Sequence, residues 1–99
     1  MTVRHVHRSI VMVALVLAAP AWAAEQPVDL APAPGVEAVE ANCGGCHSLD
    51  YVRMNAPFLG AEAWKAEVTK MRNAYGAPVT DSDAATIVAY LASNYGPAK

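Results

Sequence analysis

Residues 43–47 read Cys43-Gly44-Gly45-Cys46-His47. Two thiols set two residues apart and followed at once by an imidazole form the pattern to which a c-type haem is attached. Each sulfur can add across one vinyl group of a porphyrin as a thioether. The histidine that follows then lies under the ring, in reach of its iron. Glycine at both intervening positions keeps that turn unobstructed. Two other chemistries use such cysteines, and the rest of the sequence speaks against both. A zinc site needs further Cys or His ligands, but beyond residue 23 the chain has only Cys43, Cys46 and His47. A thioredoxin-type redox pair expects a βαβ context, and no strand pattern is visible. The motif therefore predicts one covalent haem c, with Cys43 and Cys46 as thioether anchors and His47 as an axial ligand.

An iron held on one face by His47 needs a second ligand in a low-spin electron carrier. Further histidines are ruled out by inventory, because His5 and His7 belong to an N-terminal leader that also takes Met1 and Met12. Met54 and Met71 remain. Met54 follows His47 by only seven residues and more naturally stays on the proximal side. Met71 shares a helical stripe with Trp64 and Val68 and can approach from the far face, so it is the favoured sixth ligand. Met54, a lysine or an open position are the alternatives, and as a plain core filler Met71 would be equally ordinary methionine behaviour. Tyr51 and Arg53 are candidates for the haem propionates, with ordinary surface roles as the alternative. A carbonyl near Ala56 or Pro57 is expected to fix the His47 tautomer, and Trp64 and Tyr75 are expected against the ring.

These groups need an address and a scaffold. Arg4, His5, His7 and Arg8 precede an unbroken apolar run from Ile10 to Ala19, and Ala21-Trp22-Ala23 follows as a small-x-small cleavage site. This is a secretion signal over residues 1–23. Its apolar run falls well short of the roughly 20 residues a bilayer span needs, so no membrane span is expected after cleavage, and the expected location is the periplasm. Removing 23 of 99 residues leaves 76. The formal charge of −2 then becomes −4, since Arg4 and Arg8 go and five basic residues face nine acidic ones. The positive mean hydropathy of +0.21 largely reflects the leader. An acidic surface disfavours nucleic acid and suits docking on basic protein patches. A peptide core of this size is marginal by itself, and a buried porphyrin would add to it.

Residues 24–35 include three prolines and no periodicity, which predicts an extended arm, more a disordered tether than a strap over a partner. The domain proper is expected over 36–99. Val36 to Asn42 should form a short helix leading into the motif. Ser48 to Gly60 has no regular period and reads as an irregular loop. Ala61 to Ala74 is amphipathic, with Trp64, Val68, Met71 and Tyr75 on one face and Lys65, Thr69 and Arg72 on the other. Thr80 and Asp83 stand at capping-box spacing before a last helix whose inner face continues through Ile87, Leu91 and either Asn94 or Tyr95. Gly96-Pro97 ends it. The expected class is all-α.

The segments CGGCHSLDYVRMNAPF, WKAEVTKMRNAYGAPVTDSD and IVAYLASNYG together resemble the monohaem cytochrome c subunit of bacterial sulfite dehydrogenases, over nearly all of the chain beyond the leader. The resemblance implies a small class I-type cytochrome c fold of three to four helices around one haem, with His47 and Met71 on the iron. It also implies a partner, a molybdopterin subunit that oxidises sulfite, and a soluble cytochrome c as acceptor. On that pattern the chain passes single electrons and is not an enzyme by itself. A free-standing periplasmic carrier, or a cytochrome subunit of another dehydrogenase, would share most of these features.

Overall fold

The computed structural model describes residues 27–97; the expected signal peptide, residues 1–23, lies outside them. Four helices run in chain order, α1 (Val36–Cys43), α2 (Asp50–Asn55), α3 (Ala61–Asn73) and α4 (Asp81–Asn94), with no strand among the described residues. The described residues are all-α, as expected. Helix α4 is the spine, with α1 and α3 both packed along it.

Local chemistry explains where each helix starts. The Thr80 hydroxyl accepts from the Asp83 N–H at 3.1 Å, and Asp81 and Asp83 sit in the first turn of α4, where acidic charge complements the free N–H groups. Helix α3 opens on Gly60, whose carbonyl accepts from Trp64 N at 2.9 Å, and closes with Lys70 and Arg72 in its last turn. Arg72 also reaches Asp81 at 2.6 Å, tying the end of α3 to the start of α4. Both side chains are solvated enough that this pair adds at most about 1 kcal/mol. Helix α2 stands where an irregular loop was expected. At six residues it is too short for periodicity to reveal. The Ser48 hydroxyl accepts from the Asp50 N–H at 3.2 Å, Asn55 folds back on the Tyr51 carbonyl at 2.8 Å, and Val52 is buried.

The core comprises Leu30, Val39, Val52, Trp64, Val79, Ala84, Ile87, Tyr90 and Leu91. Leu30 belongs to the arm. Rather than trailing as a tether, the described part of the arm is held to the domain, with Leu30 in the core and Ala31 and Gly35 against α4 and its cap. The Tyr90 hydroxyl donates to the Ala31 carbonyl at 2.6 Å, and the Ala31 N–H donates to the Tyr95 hydroxyl at 2.8 Å. Both backbone polar groups of one arm residue are thus satisfied by two rings, one on α4 and one at its C-cap, which offsets the cost of taking them out of water. Gly35 makes the crossing feasible. Its φ is +99°, and a Cβ there would lie 3.1 Å from the Tyr90 Cβ and 3.2 Å from the Thr86 Cγ2. Only glycine suits both the torsion and the gap.

Burial first, and then Tyr95 and Glu40, push the Tyr90 phenol up from its ordinary 10.0 to about 12. The folded chain therefore holds this proton more tightly than the unfolded one. The resulting stability is fully present below pH 10 and is lost as the pH climbs toward 12. Tyr90→Phe is expected to cost about 1 kcal/mol at neutral pH and to flatten the alkaline fall in melting temperature. Parallel alkaline losses in variant and wild type would show that the arm clasp is not the titrating element.

Candidate functional site

Helix α1 ends on Cys43, and the chain then turns through Gly44 and Gly45, bringing Cys46 and His47 round to face α3. Between them runs an apolar cleft. The motif and α2 line it with Cys43, Cys46, His47, Tyr51 and Val52, and α3 lines it with Trp64, Glu67, Val68 and Met71. Ala77 and Val79 from the α3–α4 loop and Ile87 and Leu91 of α4 complete it. The cleft opens to solvent.

The side chains that could do chemistry are placed unequally. Cys46 is exposed while Cys43 is half-buried, and burial pushes the Cys43 thiol up. His47 is exposed, with Nδ1 at 3.1 Å from the Ser48 carbonyl. A carbonyl can only accept, so Nδ1 carries a proton, and in the neutral ring the lone pair is then on Nε2. This is the tautomer a metal-bound imidazole uses. The expected carbonyl near Ala56 or Pro57 is thus replaced by that of the next residue in the chain. The His47 and Tyr51 rings lie 5.5 Å apart between centroids, tilted by 49°. Burial, then the Glu67 carboxylate, push the Tyr51 phenol up, and it donates to Glu67 Oε2 at 3.2 Å. Lys70 holds the other oxygen, Oε1, at 2.8 Å.

The structure brings Cys43, Cys46, His47 and Met71 to one cleft. Met54 is not among its walls and is 67% exposed on α2. Arg53 is likewise outside the cleft, while Tyr51 lines it. Trp64 is fully buried at the cleft's base, with its indole N–H donated to the Tyr95 carbonyl at 2.6 Å. Tyr75, expected beside it, is 72% exposed. Helix α3 stops at Asn73 and Gly76 takes φ +68°, so the stripe does not extend to position 75. Glu67 was not singled out by the sequence reading, although its spacing could have shown it: it stands three residues after Trp64 and four before Met71, on the same helical face.

Among the described residues no three His, Cys, Asp or Glu side chains cluster as a protein-only metal site. A porphyrin brings its own nitrogens and asks the protein only for axial ligands and thioether anchors. An apolar cleft lined by two thiols, an imidazole and a thioether holds the side chains that such a group uses. No family model matches the chain, and no curated protein matches it.

Trp64 fixes the cleft base and Tyr75 does not contribute to it. Trp64→Phe strands the Tyr95 carbonyl and is expected to destabilise the fold by about 1–3 kcal/mol, whereas Tyr75→Ala should stay within about 0.5 kcal/mol of wild type. Thermal unfolding of the two variants checks this, and equal losses would contradict the placement.

Proposed function

We propose that this chain is a periplasmic c-type cytochrome that carries single electrons. The observation that supports it most is the cleft lined together by Cys43, Cys46 and His47 of the motif and by Met71 of α3. When bound, a haem would supply an iron that takes up and releases one electron. The chain's own residues would do the rest. Cys43 and Cys46 anchor the ring by its edge, His47 offers Nε2, and Met71 offers its sulfur from α3. Val52, Val68, Ile87 and Leu91 keep water from the faces. Histidine with methionine on an iron raises the reduction potential relative to two nitrogen ligands, which suits acceptance of electrons from a modest reductant. The periplasmic part rests on the leader read at residues 1–23.

More narrowly, we propose that it is the haem subunit of a sulfite dehydrogenase, taking electrons from a molybdopterin subunit and passing them to a soluble cytochrome c. That assignment is supported by the resemblance of the three segments quoted above. One observation favours a second reading, a free-standing carrier: the described part of the arm is held by its own Tyr90 and Tyr95 instead of being left for a partner.

Met71→Ala is expected to keep the haem attached while opening the iron to carbon monoxide, and Met54→Ala to bind none. The opposite pattern would move the sixth ligand to Met54. For the narrower assignment, the protein isolated at natural abundance should travel with a molybdenum protein, and its haem should be reduced on adding sulfite. A monomer whose haem stays oxidised in such extracts would favour the free-standing carrier.

A further inference from the structure

We infer that Tyr51 is a positioning residue for His47, holding the imidazole plane through a tether that crosses the cleft mouth to α3. His47 needs such a device. It ends an open Gly-Gly turn and is itself exposed, and its one hydrogen bond goes to the carbonyl of Ser48 on the same turn. That bond sets the tautomer but does not fix the ring relative to the rest of the fold. Among the described residues, Tyr51 supplies the aromatic contact with that ring, at 5.5 Å between centroids. Tyr51 is on α2, whose neighbouring Val52 is in the core. Its hydroxyl donates to Glu67 Oε2 at 3.2 Å, and Lys70 Nζ donates to Glu67 Oε1 at 2.8 Å.

The links run imidazole, phenol, carboxylate, ammonium, and they end on the helix that carries Met71, four residues beyond Glu67. One rigid element therefore references both sides of the cleft: Met71 directly, and His47 through Glu67 and Tyr51. A phenol donating to a carboxylate is a charge-assisted hydrogen bond, stronger than a neutral one. That suits a tether at a partly wet cleft mouth.

This inference rests on the haem reading above, so the test uses protein first shown to carry covalent haem. The ferric low-spin electron paramagnetic resonance signal reports the orientation of the axial imidazole. Tyr51→Phe keeps the ring against His47 but drops the tether, and Glu67→Ala drops it from the other end. Both are expected to shift and broaden the signal in the same way. Glu67→Gln still offers an oxygen to the Tyr51 hydroxyl, as a weaker neutral acceptor, and should bring the signal part of the way back to that of wild type. Superimposable signals from wild type, Tyr51→Phe and Glu67→Ala would overturn the inference. So would a Glu67→Gln signal as disturbed as that of Glu67→Ala, which would point to charge instead of a tether. Protein without covalent haem would contradict the underlying reading, whereas unchanged haem-bearing variants would contradict the positioning role alone.

Discussion

Everything in this fold is referenced to the Trp64 indole, buried between α3 and α4 with its N–H given to the Tyr95 carbonyl. The contact does two things at once. Burial of so large a side chain, whose truncation in a core costs about 3–5 kcal/mol, sets the distance between the two longest helices. The hydrogen bond sets their register, because the carbonyl belongs to the residue that closes α4. With α3 fixed this way, the stripe above Trp64 faces the motif turn, and Glu67, Val68 and Met71 become a wall. Slide α3 by a turn and Met71 no longer lines the cleft with Cys46 and His47.

Tyr95 extends the same logic to the other end of the domain. Its carbonyl holds Trp64 while its hydroxyl holds the arm at Ala31, so the cleft base and the N-terminal segment share one residue. A chain this small has few apolar side chains to spare, and Leu30 from the arm counts among the nine described residues that form the core. The arm is accordingly a structural strap. Its prolines limit the unfolded chain's freedom, and Ala31 gives up its backbone groups to two tyrosines without needing a strand partner.

Much of this was legible in the sequence because the signals were strong and local. Helices α3 and α4 follow from apolar periodicity, and α4 begins where the Thr80–Asp83 spacing placed it. The motif and Met71 were readable as chemistry, and the cleft unites them. What was illegible depended on tertiary contact or on short reach. Helix α2 spans six residues and owes its form to Ser48 and Asn55, not to a period. The arm looked like a tether because composition cannot foresee two tyrosines from a helix some 60 residues on. Tyr75 was carried along a stripe that ends two residues earlier. Glu67 hid in plain sight: a carboxylate on an apolar face draws notice only once Tyr51 and Lys70 are seen around it.

The proposal as a whole stands on two sulfurs bonded to a porphyrin at Cys43 and Cys46. The most direct test is extraction of the purified protein with acidified acetone, followed by mass measurement of the peptide spanning residues 43–47. A covalent cytochrome keeps its colour in the precipitate, and the peptide gains the mass of one haem. A colourless protein, or pigment released into the solvent with the peptide at its bare mass, would contradict the account.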